Sequence, residues 1–385
     1  MRTFTFLIIL TAIVLIYSLL NYYILRRALQ ALPESFPYRI WLIIGFIIIA
    51  YSFLIGRFLE NPLNTDITYY FIWLGSFWLG AFIYFIIIIV ALDLLRFSNH
   101  YLHYFPQIIT TNWQKTKLIT LIASISLVIL IMLIGYINNF FPKIKYLDIK
   151  VPKKSAQLDE MKIVFISDIH LGVSTINKQL DILEKEINAI HPDLVLIAGD
   201  ILDEDANYLI KNELGQQIKR IQSKYGIWGI TGNHEFIGGI HSAEKYIEKL
   251  GIKLLRDDFA LIANSINLVG REDLSAKNFI HKGRMPLDEL INKSELEYPT
   301  ILMDHQPFRL DEVAEYPVDL QISGHTHHGQ IFPFNFITSA IYKKSFGYIK
   351  VKNTNFYVSA GFGVWGPPIR TVSRPEIIVI NIKFK

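Results

Sequence analysis

Seven residues at the ends of five short apolar segments have the types and spacing of a metal site. Asp168 and His170 follow the run Lys162–Ser167, which is short, rich in β-branched and aromatic residues and predicts a strand. In an extended chain positions i and i+2 project to the same side, so one cation would be within reach of both. Asp200 closes a second such run, Asp193–Gly199, where Gly199 allows a tight turn. Asn233 and His234 come directly after Gly226–Gly232, and His305 stands just beyond Ile301–Asp304. His325 and His327 repeat the i, i+2 spacing after Leu320–Ser323.

Asp, His and Asn without Cys form a hard-to-borderline donor set suited to Mn, Fe or Zn, and seven residues suffice for two ions if one carboxylate bridges them. Two cations roughly 3.5–4 Å apart lower the pKa of a bridging water and neutralise a phosphoryl group during in-line attack. That chemistry is phosphoester hydrolysis. A structural zinc would need four ligands in two close pairs, and no HExxH of a zinc peptidase occurs. Taken singly, a histidine is more often a hydrogen-bonded loop residue and Gly-Asp an ordinary turn. The weight comes from five such segments ending alike, and His100, His103, His191, His241 and His281, outside them, are read as structural.

Ligands on five separate strands converge if the strands lie side by side and their C-terminal ends form one rim, as in α/β sheets. From Ile144 onward the pattern fits, with strands alternating with amphipathic helices. Lys145–Val151 alternates as a first strand, and Asn177–Ile190 carries Leu180, Leu183, Ile187 and Ile190 at helical spacing before His191-Pro192 ends it. Residues 144–385 are therefore expected to be an α/β domain. Residues 1–143 differ: the chain is 51% hydrophobic and 19% charged, and the apolar excess lies before about Tyr146. Four candidate membrane spans appear there, Phe4–Leu25, Ile40–Ile55, Ile67–Leu92 and Leu118–Ile137. Arg26-Arg27 after the first is not a signal-peptide cleavage site, so that helix is expected to be retained. Trp41, Trp73 and Trp78 suit an interface or helix packing, and Asp93 reads as a snorkelling or capping residue.

The chain is thus expected to be a multi-pass protein of the cell membrane. Arg26, Arg27, Arg39, Arg96, Lys115 and Lys117 lie on one side, and Arg2, Arg57, Lys143, Lys145, Lys150, Lys153 and Lys154 on the other. Discounting the last five lysines as part of the folded domain puts the catalytic half outside the cytoplasm. A net charge of +4 without a basic stripe speaks against nucleic acid, the lack of cysteine excludes disulfides, and no protein partner is inferred.

In order, Asp-x-His, Gly-Asp, Gly-Asn-His-Glu, an isolated His and Gly-His-Thr-His resemble the calcineurin-like metallophosphoesterase family over residues 144–385. Its membrane-associated bacterial phosphodiesterases are most similar, through Gly329-Gln330 and the tail Gly361–Pro368. The resemblance implies a sandwich of two sheets flanked by helices. It also implies that Asp168, His170 and His327 hold one metal and Asn233, His305 and His325 a second, with Asp200 bridging. His234 would contact the phosphate and protonate the leaving oxygen. His328 departs from the glycine usual after Gly-His-Thr-His and is read as either lining the pocket or a solvated turn residue. Arg271-Glu-Asp273 is a surface turn or, through Arg271, a further substrate contact, and Gly361–Pro368 is expected to be a substrate-facing loop.

The expected function is a membrane-anchored two-metal phosphoesterase acting on phosphodiesters or phosphomonoesters of a phospholipid or other membrane-proximal substrate. The alternatives are a tethered phosphodiesterase of soluble substrates and a non-catalytic metal-binding signalling module.

Overall fold

The computed structural model of the chain describes residues 2–63, 65–203 and 206–385, with the side chains of residues 2–6, 61 and 62 outside the described set. The side chain of Arg2, counted above in the charge balance, is among the latter. Two compact units result, Met1–Ile134 and Gly135–Lys385, so the division falls inside the last long helix.

The first unit comprises α1 (Arg2–Ala31), α2 (Arg39–Leu63), α3 (Asp66–Leu102), the short α4 (Gln107–Thr111) and the start of α5 (Trp113–Asn138). Among the described residues, four helices, over Leu7–Ala31, Arg39–Glu60, Asp66–Leu102 and Trp113–Asn138, are long and apolar enough to cross a membrane. The second outruns the expected Ile40–Ile55 because Arg57 and Glu60, one turn apart, pair at 3.0 Å and let the helix continue through two charges. Large apolar side chains such as Leu15, Leu19, Ile47, Ile122 and Leu130 are exposed. Polar ones pair inside: Trp78 Nε1 donates to Asn21 Oδ1 at 3.0 Å, and Tyr51 donates to Ser18 Oγ at 2.7 Å. Asp93 is paired with Arg27 and Arg96. Close approach of α2 and α3 depends on Gly75, where a Cβ would lie 2.1 Å from Phe53 N.

The second unit has two six-stranded sheets. Its strands are β1 (Lys143–Val151), β2 (Glu160–Ile166), β3 (Leu194–Ala198), β4 (Ile227–Ile230), β5 (Ile252–Leu254), β6 (Asp258–Ile262), β7 (Ile266–Gly270), β8 (Thr300–Met303), β9 (Leu320–Ser323), β10 (Gly347–Val351), β11 (Thr354–Val358) and β12 (Glu376–Phe384). One sheet runs β1-β12-β2-β3-β4-β5 and the other β10-β11-β9-β8-β7-β6. β2, β3 and β4 are parallel neighbours, with Val164 beside Val195 and Val195 beside Ile227. β8 and β9 are parallel neighbours in the second sheet.

This corrects the expectation that the five strands stand in one row: three ligand-bearing ends belong to one sheet and two to the other. The reason is apolar alternation on both faces. Phe165, Leu196, Met303, Ile322, Tyr357 and Ile380 pack in one core. Their neighbours Val164, Val195 and Ile197 instead join Leu180, Leu183 and Ile187 of α6 (Asn177–Ile190) in another. A strand buried on both faces lets sheets stack, and stacking brings the ends together from two sides.

Candidate metal centre

β2 stops at Ile166, and the two residues expected to project from an extended strand are not extended. Asp168 and His170 have φ of 52° and 47°, Asp200 49°, His325 71°, His327 46° and His328 49°. Left-handed backbone costs a non-glycine residue roughly 1–2 kcal/mol, and such strain gathers at functional sites. The i, i+2 pairs converge because the chain curls after each strand, not because it continues. Backbone bonds hold the curls: Asp168 N donates to Gly199 O and His170 N to Asp200 O, each at 3.0 Å. His325 N donates to Asp168 Oδ1 at 2.8 Å, joining the two sheets' loops.

Asp168, His170 and His327 form one cluster of potential ligands and Asp200, His305 and His325 a second. In the first, His170 Nε2 lies 3.0 Å from His327 Nε2, which lies 3.5 Å from Asp168 Oδ1. In the second, His305 Nε2 lies 3.1 Å from Asp200 Oδ2, and His325 Nδ1 lies 2.9 Å from Asn233 Oδ1. Asp200 Oδ2 is also 3.8 Å from His170 Nε2, so this carboxylate stands between the clusters. Among the described residues, the buried Asp168 Oδ2 and His305 Nε2 have no well-formed hydrogen bond, although His305 Nε2 lies close to Asp200 Oδ2. A buried donor or acceptor left unmade costs about 1–3 kcal/mol, and each of these atoms belongs to a residue of one of the two ligand clusters. The residues present fit divalent cations.

The ligands are themselves oriented. Ala198 O, which can only accept, faces His305 Nδ1 at 2.7 Å, so Nδ1 carries the hydrogen and Nε2 is left for a metal. Asp203 Oδ1 does the same for His170 Nδ1 at 3.2 Å. His234 Nδ1 donates to the Asp203 carbonyl, so the cluster of His170, Asp203 and His234 is already satisfied as a hydrogen-bonded network. Burial, then the neighbouring His170, pushes the pKa of His234 down. Burial and then His305 lower His325 to about 4, and burial, His170 and the buried Arg370 hold His327 well below the usual imidazole range. Burial also disfavours charge on His305, but the adjacent Asp200 outweighs it and raises that histidine instead.

Three supporting residues have no role assigned by the sequence, although Glu235 closes the Gly-Asn-His-Glu motif. Asp203 follows Asp200 by three positions, and this second carboxylate was the available signal. Glu235, fully buried, accepts from the backbone N–H of Asp200 (3.2 Å), Leu202 (2.9 Å) and Gly232 (2.6 Å), tying the β3 and β4 loops together. Burial, reinforced by Asp200, pushes its carboxyl up to about 7. Arg370 sits 3.3 Å from His327 Nδ1 and donates to Ala360 O at 2.9 Å. Nothing in its local sequence marks it.

Arg271-Glu-Asp273 is not a surface turn, since all three residues are buried. Arg271 pairs with Asp304 at 2.9 Å, as does Arg284 at 3.1 Å, and both arginines line a cavity of about 550 Å³ with Phe308 and Tyr316. His328 is half-buried, its ring stacked on Phe346 with centroids 5.0 Å apart. The Gly361–Pro368 loop lies against the clusters: Gly363 N donates to Asp168 O at 2.7 Å, and the Trp365 ring is 6.2 Å from that of His234.

A family model described as calcineurin-like phosphoesterase matches residues 161–329. An uncharacterized metallophosphoesterase of Helicobacter pylori (strain ATCC 700392 / 26695) is 31% identical over 313 residues, covering 78% of this chain and 80% of its own. That alignment is longer than the α/β unit and so includes part of the helical one. A Campylobacter jejuni uncharacterized metallophosphoesterase is 34% identical over 278 residues, covering 70% of this chain and 71% of its own. The Bos taurus transmembrane protein with metallophosphoesterase domain is 29% identical, covering 69% of this chain and 63% of its own. Among solved structures, a 5'-nucleotidase precursor from Thermus thermophilus matches at TM-score 0.36 and 13% identity, covering 58% of this chain and 55% of that one. The chain thus spans about half the length of that structure.

Proposed function

Because the chain belongs to the calcineurin-like metallophosphoesterases, metal-dependent hydrolases of phosphoesters, we propose that it is a membrane-anchored enzyme cleaving a phosphodiester or phosphomonoester of a phospholipid or another membrane-proximal substrate. The observation that carries this reading is Asp200 standing between two clusters of inward-facing ligands. Asp168, His170 and His327 are assigned to one cation, Asn233, His305 and His325 to another, with Asp200 shared. The donor set suits Mn, Fe or Zn. Divalent cations held there would neutralise the phosphoryl oxygens and make water a competent nucleophile at neutral pH.

The chain's own groups supply the rest. His234, with Nδ1–H committed to Asp203, keeps Nε2 as the atom that contacts the phosphate and passes a proton to the leaving oxygen. Asp203 holds both that ring and His170 in the required tautomer. Arg271 and His328 are assigned to the substrate side of the site, where Arg271 supplies positive charge only in part because Asp304 already pairs with it.

Four helices with the length and hydropathy to span a bilayer support anchoring. The proposed orientation has the C-terminal unit outside the cytoplasm, supported by the charge balance once the lysines of the folded domain are discounted, and a reporter fused after Lys385 tests this: a cytoplasmic reporter reverses the assignment. For the activity, metal-loaded full-length protein is assayed against phospholipid vesicles, nucleotides and aryl phosphodiesters. Cleavage of the aryl diester and of phospholipid is expected. Cleavage of soluble esters alone makes the helices a mere tether, and hydrolysis of nothing makes the domain a binding module.

A further inference from the structure

The helix Phe334–Ile341 has no buried residue. Phe336, Ile337 and Ile341 are 64%, 53% and 61% exposed, and Phe332, in ring contact with Phe336, is exposed beside them. Trp365, at the His234 side of the site, is 56% exposed. A cluster of large apolar side chains like this is not left in water without a use.

Its position relative to the metal ligands is fixed at both ends. Gly329, two residues past His327, has φ 76° and lies so close to the start of the helix that a Cβ there would be 2.3 Å from Asn335 N. Just beyond the other end, the Tyr342 ring is 6.2 Å from that of His325. Gln330 then binds the two exposed elements together, its Nε2 donating to Trp365 O at 3.0 Å and its Oε1 accepting from Trp365 N at 3.0 Å.

The same assembly is bonded to the end of α5, in the part of that helix belonging to the α/β unit. Arg370 N donates to Gly135 O at 2.9 Å, Asn138 Nδ2 to Arg370 O at 2.9 Å and Asn139 Nδ2 to Pro368 O at 2.8 Å. One residue on, Thr371 N donates to Gln330 O at 3.0 Å and its Oγ1 accepts from Phe332 N at 3.0 Å. α5 is apolar up to Ile137, so a bilayer spanned by this helix would end near Asn138–Asn139, next to an exposed Phe141 whose carbonyl accepts from Arg374 Nε at 2.6 Å. Aromatic residues with an adjacent cation are what the headgroup boundary favours.

We propose that the helix Phe334–Ile341, with Phe332 and Trp365, seats in the headgroup–acyl boundary of the bilayer and admits a membrane phospholipid to the metal centre. The continuity from the end of α5 through Thr371 to Phe332 selects lipid over a second copy or a protein partner. This rests on the phosphoesterase reading above and narrows its substrate to a lipid phosphate presented from the membrane.

The chain has no cysteine, so Ile337→Cys in the full-length protein gives a unique attachment point for a nitroxide. In vesicles of phosphatidylethanolamine and phosphatidylglycerol, the label should relax more with oxygen than with a water-soluble nickel chelate. A label exposed to the chelate, or one broadened by the same label on a second copy, overturns the proposal. Phe336→Ser, Ile337→Ser and Ile341→Ser combined, all at exposed positions, should lower phospholipid cleavage in those vesicles at least about tenfold. Cleavage of bis(p-nitrophenyl) phosphate should stay unchanged. Unchanged lipid cleavage, or parallel loss of both, also overturns it. Should the parent protein cleave neither substrate, the phosphoesterase reading fails while the depth of the label still decides the surface.

Discussion

The two units of the chain distribute polarity in opposite ways. In the helical unit the large apolar side chains face outward, and interior polar groups such as Asn21 with Trp78 and Ser18 with Tyr51 satisfy one another. In the α/β unit apolar residues fill the space between and behind two sheets, and some of the most buried polar atoms, Asp168 Oδ2 and His305 Nε2, have no hydrogen-bond partner among the described residues. Interior polarity that is paired serves packing. Interior polarity left unpaired within a cluster of potential ligands suits a binding site, held there by folding energy from the surrounding core.

That contrast can be broken first at its centre. Asp200→Asn should bring hydrolysis to background and lower bound metal in the same protein; elemental analysis showing two equivalents retained would remove the shared-carboxylate assignment. His234→Asn should leave metal content unchanged while kcat falls about 10²–10⁴-fold. An aryl ester with a good leaving group should suffer less, and equal losses for good and poor leaving groups would take the proton-donating role from His234. Glu235→Ala strands three buried N–H donors and should lower the stability of the α/β unit by about 3 kcal/mol or more in a denaturant titration. The helical unit sharpens the comparison with the smallest effect. Asn21→Leu removes the acceptor of Trp78 Nε1 and should cost only about 0.6 kcal/mol in a detergent-unfolding titration, with activity unaltered.

Much of the architecture was legible because it follows from periodicity. α6 spans Asn177–Ile190 as its apolar spacing predicts, and left-handed His191 ends it before Pro192. The membrane-length helices follow from hydropathy, but α1, α2 and α3 run on past the expected Leu25, Ile55 and Leu92 to Ala31, Leu63 and Leu102, beyond the purely apolar stretches. The seven metal-ligand candidates were visible because each stands where an apolar run stops, a signal confined to a few adjacent residues.

What depended on distant segments was not legible. The two sheets were expected only through the family resemblance; which strands are neighbours in each is decided by pairing across tens to hundreds of residues. Asp203 and Glu235 gain their roles from loops folded back on them, and Arg370 reaches His327 from 43 positions away. The curled, left-handed backbone at Asp168 and His170 reverses the extended geometry that their spacing suggested. By itself the sequence determined the elements and the chemical types at their ends, since local propensity and burial are written in short patterns. Only the tertiary structure decided how those ends are oriented and which groups hold them, because a side chain's partners are chosen by the whole packed core.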